Sequence, residues 1–233
     1  MRRTSAYFIS LLIVVCTFSA NAEDSLNFPL KIRIGADVYG PASYLYNKKT
    51  LVSNNKNLGI EGYLSLDIDT QKAAVIEAGY LDYMYSQYNY DYQSKGYFVR
   101  MGVDFNLIHP GQAIGRYYAG IGLRYGFSIF KSEVPVIKYN NYWGSLTSSV
   151  PPSTHTAHFI EASPGIKAEV FRNFSIGWII RLRFLIHSGT GKDLKAVSIP
   201  GYGDGSKFFS PGINYYLIVS IPYKNQKLKS GAR

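Results

Sequence analysis

Cysteine is nearly missing from this chain, with one in 233 residues, Cys16, inside an N-terminal apolar stretch. If that stretch is removed on export, the mature protein can form no disulfide and can offer no thiol to a metal or substrate. Nucleotide and hydrolase fingerprints are also absent. There is no P-loop, no GxSxG and no dinucleotide-binding glycine pattern. "GYGDGS" (201–206) carries one carboxylate and lacks the repeated acidic positions of a calcium loop. No segment has the period of an amphipathic helix. Formal charge is +10, yet no block of like charge resembles a nucleic-acid-binding stripe. Part of the basic excess is terminal, and 225–233 reads as a solvated tail. Nucleic acid is therefore not an expected partner.

The N-terminus supplies the first positive signal. Arg2 and Arg3 precede an apolar run, Ala6–Phe18, which is shorter than the ~20 residues of a membrane-spanning helix. Ala20-Asn21-Ala22 fits the small-x-small pattern of signal peptidase. The reading is a cleaved export signal over 1–22, which takes Cys16 with it. Val15 stands where a lipoprotein signal needs a small residue, so lipidation is not expected.

The remaining chain is rich in residues that suit strands and their turns: 21 tyrosines and 22 glycines. Residues 97–107, "YFVRMGVDFNL", are apolar at every second position, which gives a strand with two chemically opposite faces. The same alternation recurs over 30–38, 58–68, 73–81, 117–129, 160–170, 174–186 and 213–223. Most of these segments reach the ~9–11 residues of a tilted membrane strand. Eight antiparallel strands can close on themselves, so the expected fold is all-β: an eight-stranded up-and-down barrel over 23–224. Connections alternate between short turns at 69–71, 109–116 and 172–173 and long gaps at 40–57, 83–96, 130–156 and 187–212. Short turns at one rim and long loops at the other is the pattern of an outer-membrane barrel. With both termini on the short-turn side, the long loops face outward.

The apolar faces carry no charge, aromatics crowd near strand ends, and the polar faces are heavy in glycine. All three features favour an outside facing lipid, in the outer membrane of a Gram-negative bacterium. A soluble, lipocalin-like ligand-binding barrel is the alternative.

The architecture resembles that of the small OmpA/OmpX-type barrels. The stretches "YFVRMGVDFN" (97–106), "YYAGIGLRYGFSIF" (117–130), "EASPGIKAEVFRNFSIGWIIRLRFLI" (161–186), "IPGYG" (199–203) and "GINYYLIVSIPY" (212–223) resemble a family of uncharacterised exported Bacteroidota proteins. That family is known only as a domain of unknown function. The resemblance implies an outer-membrane barrel and lends no catalytic residues.

On the polar faces stand Lys31, Arg33, Arg100, Arg124, Lys167, Arg181 and Arg183, against Asp37, Glu61, Asp67, Glu77, Asp104, Glu161 and Glu169. An eight-stranded interior is only wide enough for side chains to fill it, and buried charge must be paired. These fourteen residues are expected to form a luminal ion-pair network that plugs the barrel; an ion or proton path is the alternative.

Catalysis is not expected, nor a cofactor. His187 beside Ser188, with Glu161 or Glu133 as orienter, is the one base–nucleophile pairing to consider, as a rim enzyme acting on lipid or peptide. His109 reads as a turn residue. His155 and His158 point to opposite faces of a strand, so no metal site is expected. Tyr88, Tyr90, Tyr92, Tyr142 and Trp143 fall in the long gaps and suit contact with a protein or glycan partner. The role expected is structural, adhesive or partner-binding, alone or within a larger envelope assembly.

Overall fold

The computed structural model describes residues 27–49, 57–142, 144–190 and 195–227. The export signal, Trp143 and residues 228–233 of the tail lie outside the described residues. Eight antiparallel strands form a closed ring: β1 (Asn27–Asp37), β2 (Asn57–Asp67), β3 (Lys72–Ser86), β4 (Tyr90–Asn106), β5 (Tyr117–Asn141), β6 (Gly144–Phe171), β7 (Phe174–Ser188) and, after a two-stranded ribbon of β8 (Ser198–Ile199) and β9 (Gly203–Asp204), β10 (Phe209–Lys227). Each barrel strand pairs with the next, and β1 closes the ring on β10, with Asn27 opposite Lys227.

Alternation sets the two faces. On β4, Phe98, Arg100 and Asp104 are buried, whereas Tyr97, Met101 and Phe105 are exposed. On β5, Ser128, Arg124 and Phe130 point in, and Ile121, Leu123, Tyr125, Phe127 and Ile129 point out. Glycine permits the tightest inner packing. A Cβ on Gly126 would lie 2.2 Å from a ring carbon of Phe159. Leu30, expected on the outer face, is buried beside Lys31, where the pairing register with β10 slips and skips Tyr223.

The turns at the termini's rim are short. Arg172 and Asn173 join β6 to β7, and Asn173 takes the left-handed conformation (φ 66°) that asparagine tolerates. Pro110 opens a single helical turn, α2 (Pro110–Ala113), between β4 and β5.

Three expected outer loops are built differently. Residues 83–96 and 130–156 are largely strand. β3 and β4 pair up to Ser86 and Asp91, and β5 and β6 up to Asn141 and Gly144, so both form hairpins that rise beyond the barrel wall. Their Tyr, Ser, Thr and Val content suits a solvated ribbon as well as a loop, so composition alone does not separate the two. The segment after β1 holds a helix, α1 (Tyr39–Lys49), with little amphipathic character. Pro41 lies in its first turn, where proline is tolerated. Residues 225–227, expected in the tail, are strand, because β10 stays paired to β1 through Lys227.

Candidate functional site

Four arginines and three glutamates from six strands meet inside the barrel. Arg181 on β7 places Nη1 2.9 Å from Glu77 on β3 and 2.5 Å from Glu161 on β6, and Nη2 2.8 Å from Glu61 on β2. Its Nε donates to Asn214 Oδ1 on β10 at 2.6 Å. Arg100 on β4 reaches Glu77 at 3.0 Å and Glu161 at 3.1 Å, and also pairs with Glu61. Arg124 on β5 holds Glu77 at 3.1 Å and Asp104 at 3.0 Å. Arg183 touches Glu161 at 3.3 Å. Toward the short-turn rim, Lys167 donates to Asp104 at 2.8 Å and to Tyr63 Oη at 2.6 Å. Lys31 bonds Glu169 at 2.5 Å, and Arg33 pairs with Asp67. Tyr216 donates to Glu61 and accepts from Arg181.

The structure thus brings thirteen of the fourteen expected luminal residues into ion pairs. Asp37 is the exception. Its Oδ2 accepts the Gly40 N–H at 3.0 Å, at the start of α1, and its Oδ1 accepts the Tyr215 N–H at 3.1 Å. Aspartate at a strand end meets a helix N-terminus here: a bare amide of the helix takes one oxygen, and an amide of β10, beyond the end of β1, takes the other.

Above the charged layer the barrel is closed by its own chain. Residues 196–205, expected to face outward, fold into the mouth, where Ala196, Ile199 and Tyr202 are buried with Phe130, Ala157 and Phe159. Ser94 Oγ donates to the Ser198 carbonyl at 2.9 Å, and Arg183 Nη1 donates to the Tyr202 carbonyl at 2.6 Å. The turn Ile199-Pro200-Gly201-Tyr202 is closed by a Tyr202 N–H to Ile199 C=O bond of 3.1 Å. Proline followed by a glycine at φ 74° is the signature of a type II turn. A Cβ at Gly201 would lie 2.4 Å from Phe98 Cγ. Asp204 anchors the ribbon. Hydrogen bonds from the Ser206 hydroxyl and amide hold its carboxyl below the usual range.

The rim histidines do not assemble a catalytic set among the described residues. Ser188 Oγ lies 3.1 Å from Thr190 Oγ1, and the His187 ring is 6.5 Å from that of His158. Glu161 is committed to the arginines. His155 and His158 occupy opposite faces of β6, against Phe130 and Phe127 respectively. Of the aromatic contact residues, Tyr88 and Tyr142 are exposed to 87% and 93%. Tyr90 packs on Tyr85. Tyr92 is buried against Tyr83, because β4 continues through it and turns it inward.

No curated protein matches the chain. Solved structures that it resembles include Neisserial surface protein A (NspA), at 10% identity and a TM-score of 0.39 over 83% of this chain and 96% of that one. Another is CarO of Acinetobacter baumannii, at 9% identity and 0.36, over 86% of this chain and 100% of that one. The Domain of unknown function DUF6048 matches residues 3–226, and with nearly the whole chain inside that match the protein belongs to the DUF6048 family.

Proposed function

We propose that this protein is a non-enzymatic barrel of a Gram-negative outer membrane, plugged against conduction, which meets a partner through the hairpins it raises above the bilayer. The apolar outer belt carries the reading. Ile34 on β1, Leu64 on β2, Ile76 on β3, Met101 on β4, Leu123 on β5, Ile166 on β6, Ile180 on β7 and Leu217 on β10 are all exposed, so the belt runs round the whole ring. A continuous exposed apolar surface of this kind marks contact with lipid or protein. Its height fits lipid. On β3 the outward positions are apolar between Lys72 and Asp82. Ten residue steps at ~3.3 Å, tilted by ~40°, give ~25 Å, the height of the apolar band of outer-membrane barrels. The upper edge continues sideways, with Asp82 opposite Lys95, Lys95 opposite Lys131, and Lys131 opposite Thr154.

Above that edge, β5 and β6 continue from Lys131 to a tip carrying Tyr139, Tyr142 and Leu146, all exposed. Tyrosine flanked by serine and asparagine makes adaptable contact surfaces. Below it, the ion network and the folded-in segment fill the interior.

Because the mature chain would have no cysteine of its own, single cysteines report its orientation cleanly. Tyr142→Cys should react with a membrane-impermeant maleimide on intact cells, and Arg172→Cys only after the outer membrane is opened. The reverse pattern would overturn the orientation, and labelling of neither on opened cells would overturn the barrel's exposure at both rims.

A further inference from the structure

The barrel wall has a notch. β1 lies between β10 and β2 in the ring and stops at Asp37, whose partner is Tyr216. From there β10 runs on to Phe209, and β2 runs on from Gly62 to Asn57. α1 leans on β2 in the space left over, so closely that a Cβ on Gly40 would lie 2.3 Å from the Gly59 carbonyl. A cavity of about 390 Å3 remains beside it, within the ~300–1,000 Å3 of ordinary ligand sites. Both faces of the wall line it: Ile60, Tyr80 and Ile213 from the outer belt, and Phe98, Glu61 and Arg183 from the interior. Leu58 pairs with Asp82, the charge that bounds the belt, and Gly62 pairs with Ala78, so the notch opens at the outermost part of the belt.

The charges lining it are unequal in their commitments. Glu61 is taken by Arg100, Arg181 and Tyr216, and both oxygens of Asp37, which also lines the cavity, accept backbone amides. Asp37 keeps its charge but pairs with no cation among the described residues, so within the ion-paired network seven cations share six carboxylates. Arg183 gives Nη1 to the Tyr202 carbonyl at 2.6 Å and has no carboxylate of its own. The one it reaches, Glu161 at 3.3 Å, is shared with Arg100, Arg124 and Arg181. We propose that the notch binds an anionic amphiphile, its chain against Ile60, Tyr80 and Ile213 and its carboxylate or phosphate head on the Arg183 guanidinium. A planar guanidinium suits an oxyanion head, and it is desolvated here, where such a pair is strongest.

Entry from the lipid rests on the membrane reading above, but binding is measured without it, so extraction and binding fail separately. The full barrel in a neutral detergent is mixed with oleate, dodecyl phosphate or oleyl alcohol and weighed by native mass spectrometry. One oleate or dodecyl phosphate per barrel is expected, at least tenfold more than oleyl alcohol, and the stronger of the two assigns the head. Arg183→Gln removes the one cation that has no carboxylate of its own and leaves six cations on the six ion-paired carboxylates, so the barrel assembles and the preference over the alcohol disappears. Gly59→Leu grows into the cavity, where a Cβ meets only Leu81 at 3.7 Å, and it should abolish retention of all three. Equal retention of oleate and alcohol by the unaltered protein, no retention of either anion, or retention untouched by Gly59→Leu would each overturn the site. If Arg183→Gln does not assemble, the anion-to-alcohol ratio and Gly59→Leu still decide.

Discussion

Arg181 gathers five partners in the interior: three glutamates, Asn214 and Tyr216. A buried charge stripped of its partner costs ~3–5 kcal/mol, so Arg181→Met should destabilise the barrel by about that much. Urea titration read by the gel mobility of folded and unfolded forms measures it, and an unchanged midpoint would mean that the network tolerates the loss. Strict alternation made nearly all of these residues legible in the sequence, because period two leaves no doubt about which side chains share a face. It failed where a strand ended or ran on unseen. Asp37 obeys the alternation, but the chain turns into a helix immediately after it, and one amide of that helix and one of β10 take its oxygens in place of an arginine. Tyr92 belongs to a strand whose polar, tyrosine-rich outer half lacks an apolar face, so nothing in the pattern marked it as buried.

Among the elements, the folded-in segment was the least legible. "SIPGYGDGS" reads as a surface turn, and its burial depends on the fit of Ile199 and Tyr202 against Phe130 and Phe159, which no local pattern announces. The Pro200–Gly201 pair was the available signal. Valine at position 201 would need a left-handed backbone and would strike Phe98. Gly201→Val should therefore release the segment, so that chymotrypsin cuts at Tyr202, which is buried in the unaltered protein, in a barrel that still migrates as folded. A segment as resistant as in the unaltered protein would contradict its seating in the mouth. The tall hairpin is the opposite case, an element that the barrel should not need. Lys138 pairs with Thr147, so replacing residues 139–146 with Asn-Gly closes the ribbon on a two-residue turn. Assembly and urea midpoint should be unchanged, while contact made through Tyr139, Tyr142 and Leu146 is lost. A barrel that no longer assembles would show the tip to be structural.

For the whole molecule, the sequence carried the closed ring, the side on which the termini lie and the polarity of its faces, because all three follow from strand number and alternation. The depth of its mouth and the notch over β1 were not legible, since they depend on where strands stop relative to their neighbours, and register lies in the pairing of distant segments. All of this rests on an outside that faces lipid. Native size after extraction tests that most directly, on the full chain tagged at its C-terminus and expressed in a Gram-negative cell. The protein should resist high salt and alkaline carbonate, leave the membrane only with detergent, and then run as a small particle or with co-purifying partners. Release by salt alone, as a soluble particle without detergent, would contradict the account.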